Sequence, residues 1–101
     1  MRRRVVDNLT LERWRNVDAV DVLARLAEHW KADSSYRPLD SSGTTRWHAN
    51  VAGKDVEILC TGVRFFDVRA STGGGGAVDV AMHFFDLSFP GAVALLKEKG
   101  I

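Results

Sequence analysis

TTRWHANVAGKDVEILCTGVRFFDVR, residues 44–69, is the stretch of sequence that decides the fold. Three runs within it, at 44–51, 55–61 and 63–69, are rich in the β-branched and aromatic residues that favour strands. The connections between them are short, Ala-Gly-Lys after the first run and Gly62 after the second, and connections of this length join antiparallel neighbours. The stretch therefore predicts an antiparallel β-meander of about three strands.

Alternation along the runs indicates which side chains share a face, because successive residues of a strand point to opposite sides of the sheet. In the first run, one face carries Trp47, Ala49 and Val51, and the other carries Arg46, His48 and Asn50. In the second run, one face carries Val56, Ile58 and Cys60. In the third run, Phe66 and Val68 share one face, and Phe65, Asp67 and Arg69 take the other. Phe65 is open to two interpretations: it belongs to an exposed face with the basic residues, or a helix covers that face and Phe65 is core.

A short helical turn and a helix are predicted before the meander. Thr10 is predicted to cap a short turn that ends at Arg15, and Asn16 or Asp18 is predicted to cap a second helix. The apolar positions that recur at helical spacing in this second helix are Val17, Val20, Leu23, Ala27 and Trp30. Residues 32–43, which are rich in Asp and Ser, are predicted to form a loop.

Two further helices are predicted after the meander. The first covers residues 77–85, and its apolar side is formed by Ala77, Val78, Ala81, Met82 and Phe85. Ser88 is predicted to cap the second, which tolerates Pro90 in its first turn and ends at Gly100. Its inward residues are Val93 and Leu96. The predicted fold class is therefore α+β, a small antiparallel meander flanked by N-terminal and C-terminal helices.

Length and composition indicate one domain. A chain of 101 residues with 46% hydrophobic residues can close a single core. We assign residues 10–101 to this domain, and residues 1–9, which contain three consecutive arginines, to a flexible basic arm. The 14 Lys and Arg against 13 Asp and Glu give a net charge of +1, which excludes a strongly basic protein that wraps DNA. Any contact with a nucleic acid must therefore come from a local patch.

The sequence predicts a cytoplasmic protein. Charged residues from Asp7 onward leave no apolar segment of the length that a signal peptide needs. No apolar run approaches the roughly 20 residues of a membrane span. Cys60 is the single cysteine and cannot form an intramolecular disulfide, which fits a reducing compartment.

The reactive side chains predict neither a metal site nor an enzyme. Zinc needs about four ligands, usually in closely spaced pairs, but the candidates are scattered along the chain at His29, His48, Cys60 and His83. No spacing supports Cys60 as a nucleophile with a histidine as its base, so we expect a small buried hydrophobic residue there. No metal and no cofactor are expected.

Four consecutive glycines, at 73–76, precede the first C-terminal helix. Two interpretations are open: a tight turn that needs unusual backbone angles, or a loop that presents backbone N–H groups to a phosphate. The Lys-Ser/Thr of a P-loop and the spacing of a dinucleotide fingerprint are both missing from the sequence. The glycine run by itself therefore identifies no nucleotide site.

Two stretches in the second half of the chain carry a family pattern. FFDVRAS at 65–71 is followed by GGGGAV at 73–78, and LSFPGAV at 87–93 is followed by a closing Gly100-Ile101. In this order they resemble the zinc-binding domain at the N-terminus of bacterial DNA primases. They also resemble the zinc-less forms of that domain in primase- or relaxase-associated proteins of plasmids and mobile elements.

The resemblance implies a zinc-ribbon-like fold without its metal. Asp40, Gly43, Val68 and Ser71 stand approximately where the family carries Cys-x-x-His and Cys-x-x-Cys. It further implies a non-catalytic accessory module that binds single-stranded DNA or RNA in DNA replication or mobile-element transfer. A separately encoded primase, helicase or relaxase is the implied protein partner.

The predicted nucleic-acid-binding residues are Arg46, Trp47, His48, Lys54, Phe65 and Arg69. In this prediction a base stacks on an aromatic ring of the set, and its cations neutralise phosphates. The alternative function is a protein-interaction module that keeps the fold without binding nucleic acid. It would dock a partner through Trp14 and the N-terminal helix region.

Overall fold

The computed structural model describes residues 6–38 and 43–101. Within these residues the chain forms two helices, then five strands, then two more helices. The first helices are α1 (Asn8–Arg15) and α2 (Ala19–Leu26). The strands are β1 (His29–Ala32), β2 (Thr45–Val51), β3 (Lys54–Thr61), β4 (Arg64–Asp67) and β5 (Thr72–Gly75). The last helices are α3 (Ala77–Phe85) and α4 (Phe89–Glu98). The predicted α+β class is confirmed.

The strands form one antiparallel sheet in chain order, β1-β2-β3-β4-β5. Its three central strands are the predicted meander, with bounds that differ from the predicted runs by one to two residues. The described sheet has one further strand on each edge, so the prediction of about three strands is too low. The register places Trp47 opposite Ile58 and Cys60 opposite Phe65.

The edge strand β1 occupies residues that helical spacing had assigned to the end of the second helix. That helix ends at Leu26, because Ala27 already has extended backbone angles. Trp30 pairs with Ala49 across β1 and β2, and its ring stacks on Trp47 with 4.4 Å between centroids. Pairing with a distant strand therefore overrides the local periodicity.

The opposite edge strand, β5, is built from the glycine run. A Cβ on Gly73 would lie 2.9 Å from the Phe65 carbonyl oxygen, so strand β5 can approach β4 this closely only without a side chain. Of the four glycines, Gly76 alone serves as the predicted turn, with φ of +87° where it precedes α3. The outward N–H of Gly75 donates to the Asp79 carboxylate at 3.0 Å.

Local capping signals place most helix ends correctly. Asp18 precedes α2 and Ser88 precedes α4, as predicted. The first helix starts earlier than expected, because Asp7 rather than Thr10 is its N-cap, and the Asp7 carboxylate accepts the Thr10 N–H at 2.7 Å. The predicted bounds of α3 are confirmed, but its buried side is the neighbouring stripe Ala77, Val80, Ala81 and Phe84.

The hydrophobic core lies between the helices and one face of the sheet. Its fully buried side chains come from every helix and from β2 and β3: Trp14, Val22, Leu23, Val51, Ile58, Cys60, Val80, Val93 and Leu96. Burying a large apolar side chain of this kind stabilises the fold by about 1.5–3 kcal/mol. The predicted inward positions of Cys60, Val93 and Leu96 are confirmed.

Phe65 lies in the core and Phe66 does not. Phe65 is 4% exposed and its ring contacts Phe84 with 5.4 Å between centroids, whereas Phe66 is 40% exposed. The reason is the register: directly opposite residues share a face, and Phe65 is opposite the buried Cys60. Phe65 therefore belongs to the core interpretation that the sequence left open.

In the part of the chain that the structure describes, no single helix is long and apolar enough to cross a membrane. Helices α3 and α4 reach the required length and composition only as a pair, and a bend of 107° separates them.

Replacing Gly73 with alanine should destabilise the protein, because the new Cβ would force the β5 backbone away from β4. We expect a loss of about 1–3 kcal/mol in the free energy of unfolding. Gly75→Ala is the matched control in the same strand, since its Cβ would meet no atom closer than 3.6 Å. Urea denaturation measures both, and equal midpoints for the two variants would contradict the close approach.

Candidate nucleic-acid interface

One face of the sheet points away from the core, and we call it the open face. Alternation and register assign eleven side chains to it: His29, Lys31, Arg46, His48, Asn50, Asp55, Glu57, Leu59, Thr61, Arg64 and Phe66. None of these eleven is buried. Gly73 and Gly75 occupy the same face of β5 and add no side chain to it. The open face is therefore the part of the sheet available to a ligand.

A groove of about 610 Å³ lies on the open face at the β3–β4–β5 end. Its apolar surface includes Leu59 and Phe66, which are direct cross-strand partners. On the other side of Phe66 the cross-strand partner is Gly73, which contributes no side chain to that flank of the ring. Tyr36 and Pro38, from the segment after β1, line the groove as well. The arrangement offers an apolar surface next to an aromatic ring.

Arg64 supplies positive charge to this groove. Its side chain is exposed, and among residues 6–38 and 43–101 no carboxylate forms an ion pair with it. It is separated from Phe66 by one residue in the same strand, so both side chains point to the same side. With no ion-pair partner in these ranges, the guanidinium can meet an external anion beside the ring.

A network of charges occupies the middle of the open face. Glu57 forms ion pairs with both Arg46 and Arg69, the latter with 3.8 Å between Nη2 and Oε1. The Arg46 Nε lies 3.7 Å from the Asp33 carboxylate, and the His48 Nε2 lies 3.2 Å from the same carboxylate oxygen. These two carboxylates balance the two guanidinium groups, so the network as a whole is close to neutral.

Asp33 is held in its charged form by hydrogen bonds. The Ser35 hydroxyl donates at 2.6 Å and the Ser35 N–H at 3.0 Å, both to Oδ1. The Ser35 hydroxyl contributes most, followed by His48, and together with the Ser35 N–H they lower the pKa of Asp33 to about 2. At neutral pH the ionised Asp33 carboxylate therefore helps to position Arg46 and His48.

Of the six predicted site residues, the structure brings three together and separates three. Arg46 and His48 lie on the open face, and Arg69 reaches it through Glu57. The other three lie on the helix side of the sheet: Trp47 is stacked on Trp30, Phe65 is core, and Lys54 stands at the β2–β3 turn. The separation arises because successive side chains along a strand point to opposite faces of the sheet.

Sequence reasoning missed the groove residues Arg64, Phe66, Leu59 and Tyr36. The signal that could have found them is the pairing of Cys60 with Phe65, which turns Phe66 outward together with Arg64. Two adjacent phenylalanines satisfy a period of two equally well in either orientation, so the sequence alone does not select one.

The positions matching the family's zinc ligands contain no metal-binding side chain where the structure describes them. Gly43 and Val68 have no ligand atom in their side chains, Ser71 stands in the β4–β5 connection with φ of +53°, and Asp40 lies outside the described residues. The three arginines of the basic arm lie outside them too. In the described ranges, no three His, Cys, Asp or Glu side chains are grouped as a metal site requires.

Cys60 is buried in the core, and burial raises the pKa of its thiol to about 12. A thiol in this environment is not a thiolate at neutral pH. The predicted small buried hydrophobic residue at this position is confirmed.

Replacing Ser35 with alanine should raise the pKa of Asp33 from about 2 towards the ordinary value of 3.8, because the largest stabilising hydrogen bond to the carboxylate is lost. Ionised Asp33 stabilises the fold above about pH 4, and this contribution disappears as the pH falls through about 2. NMR titration of the Asp33 carboxyl carbon measures the shift. The neighbouring Ser34→Ala variant is the control, and an equal shift in both variants would contradict the assignment to Ser35.

Comparison with known proteins gives no relative from which a function can be transferred: no protein-family model, no curated protein and no solved structure matches this chain. The resemblance to the primase zinc-binding domain therefore stays a prediction from the sequence.

Proposed function

We propose that this chain is a non-catalytic accessory module that binds single-stranded nucleic acid on the open face of its sheet. The observation that carries the proposal is the exposed ring of Phe66 in the groove beside Arg64, which has no ion-pair partner among the residues that the structure describes. Proteins that bind single strands without reading their sequence combine aromatic stacking platforms with cations that meet phosphates. The groove holds both elements within one strand and its neighbours.

Stacking on Phe66 is the central contact of this mechanism. On one flank of the ring, Gly73 of β5 contributes no side chain. On the other flank, Leu59 extends the apolar surface on which a base can lie. Tyr36 at the groove wall supplies a second ring close to the same space. A duplex, whose bases are already stacked on each other, gains nothing from this platform, so the single strand is preferred.

We expect Arg64 to contact a phosphate more readily than the arginines of the charge network do. Arg46 and Arg69 already share Glu57, so a phosphate must replace a carboxylate there, and the net gain is smaller than for a free cation. Few phosphates are therefore neutralised, which agrees with a net charge of only +1. The proposed complex is of modest affinity, with a correspondingly shallow salt dependence.

The zinc-less, primase-like zinc-ribbon fold is part of the same proposal. It is supported by the two family-like stretches, which run through β4, β5 and the start of α3 at 65–78, and over the start of α4 at 87–93. Such a module acts in DNA replication or mobile-element transfer beside a separately encoded primase, helicase or relaxase. The nucleic acid bound is DNA or RNA, since the groove carries no residue pattern that selects between them.

Replacing Phe66 with alanine should weaken binding to a labelled single-stranded oligonucleotide about 5- to 150-fold, because one stacked base contributes about 1–3 kcal/mol. Fluorescence anisotropy at low salt measures the Kd, with duplex DNA as the comparison. Phe89→Ala is the matched control, because Phe89 is equally exposed, at 38% against 40%, but belongs to α4. Equal affinity for the two variants would remove the stacking assignment.

Replacing Arg64 with glutamine should reduce the slope of log affinity against log salt by about 0.7, the loss of one phosphate contact on a single strand. Arg15→Gln on α1 is the control, since Arg15 lies in a helix and not on the sheet. Anisotropy at four salt concentrations gives both slopes. An unchanged slope for Arg64→Gln would show that this residue contacts no phosphate.

Absence of binding by the wild type at low salt would favour the protein-interaction module instead. The partner would not dock on Trp14, because that side chain is 1% exposed and forms part of the core. The observation that favours this second function is the exposure of Leu9, Met82 and Phe89 on the helices.

A further inference from the structure

A second cavity, of about 370 Å³, lies on the helix side of the sheet, and we call it the hairpin cavity. It is bounded by the β2–β3 turn, the end of β4 and the last turn of α3. Its lining residues form an apolar part and a polar part. The apolar part is Val51, Val56, Ala70 and Phe84. The polar part is Lys54, Asp67, Arg69 and His83, with Asp55 at the turn.

His83 and Asp67 form the fixed element of this cavity. The His83 Nε2 lies 2.8 Å from the Asp67 Oδ2, and the other carboxylate oxygen accepts the Ala70 N–H at 3.2 Å. Asp67 is only 6% exposed, so its charge is compensated inside the protein. The rings of Phe65 and Phe84 contact the imidazole, with centroids 5.7 and 4.7 Å away. The imidazole is thus held in one orientation.

The second imidazole nitrogen is the one that can meet a ligand. Nε2 is committed to Asp67, while Nδ1 has no hydrogen-bond partner among the residues that the structure describes. The side chain of His83 is 23% exposed and lines the cavity, so the imidazole is within reach of a ligand there. A histidine oriented by a buried carboxylate presents its free nitrogen at a defined point.

Two cations line the cavity, Lys54 and Arg69, and the Arg69 Nη2 lies 3.8 Å from the Glu57 Oε1 on the other side of the sheet edge. Lys54 is on the helix side by strand parity, and no carboxylate in residues 6–38 and 43–101 pairs with it. Arg69 donates to the Asp55 carbonyl oxygen at 3.1 Å, which holds it at the same turn. The carboxylate of Asp55 accepts from Asn50 at 3.0 Å on the open face, so it points away from the cavity.

We propose that the hairpin cavity binds a phosphate monoester. Lys54, Arg69 and His83 supply polar groups from three different parts of the chain, which suits the three terminal oxygens of the group. The apolar part of the cavity accommodates the organic portion of the ligand.

The ligand is either a free monoester, such as a nucleoside monophosphate, or the 5′-phosphate at the end of a nucleic-acid strand. Both present the same dianionic group. The inference does not rest on the open-face function, because the groove and the hairpin cavity have no lining residue in common.

NMR titration of the isotope-labelled protein with a nucleoside 5′-monophosphate tests the site. We expect saturable shifts of the His83 ring signals and of the Lys54 and Arg69 amides, and none with the matching nucleoside. Lys54→Gln and Arg69→Gln should each weaken binding of the monoester about tenfold, since each removes a charge-assisted hydrogen bond to the phosphate. Both side chains are at the surface, so folding should persist.

Lys31→Gln is the matched control, because Lys31 is an exposed lysine on the open face of β1, away from this cavity. Phe66→Ala should also leave monoester binding unchanged, which separates this site from the groove. Absence of saturable shifts, equal binding of the nucleoside, or an equal loss of affinity in Lys31→Gln and Lys54→Gln would each overturn the proposal.

A second titration separates the two sources of the phosphate. A 5′-phosphorylated oligonucleotide that binds more tightly than its 5′-hydroxyl counterpart, with the difference lost in Lys54→Gln, identifies the end of a strand as the ligand. If the monoester binds and the two oligonucleotides do not differ, the ligand is a free monoester. Either result supports a phosphate site in the hairpin cavity.

Discussion

The pairing of Cys60 with Phe65 across β3 and β4 is the constraint on which both candidate sites depend. It places Phe65 in the core, where its ring meets Phe84 and His83. The residues on either side must then point the other way, which turns Arg64 and Phe66 to the open face. Two positions further along, Asp67 returns to the helix side and meets His83. One register thus creates the groove and orients the histidine of the hairpin cavity.

Burial of Phe65 makes that register costly to change. A shift by one residue would bring Phe66 inward, expose Phe65 and remove the buried carboxylate from its histidine. Strand β5 adds to the constraint, because its glycines fit closely against this one arrangement: a Cβ on Gly74 would lie 3.0 Å from the Phe65 ring. Core packing and the chemistry of the surface are therefore fixed by the same few contacts.

Local signals in the sequence account for the three central strands, for the bounds of α3 and for the caps at Asp18 and Ser88. They fail where contacts between distant residues decide. Trp30 follows helical spacing but pairs with Ala49, and the glycine run has no strand propensity yet lies against β4. The site shows the same division: strand alternation was enough to find Arg46 and His48, whereas finding Arg64 and Phe66 requires the register between two strands.

The bond between the Gly75 N–H and the Asp79 carboxylate has a consequence for the sheet as a whole. An edge strand made mostly of glycine is an easy template for another chain, because its outward backbone groups are unpaired and unshielded by side chains. The Asp79 carboxylate, in the first turn of α3, accepts a hydrogen bond from one of these groups, the Gly75 N–H. A strand from a second molecule would have to displace that carboxylate before it could extend the sheet. The acidic first turn of α3 thus acts as a safeguard against aggregation along the glycine edge.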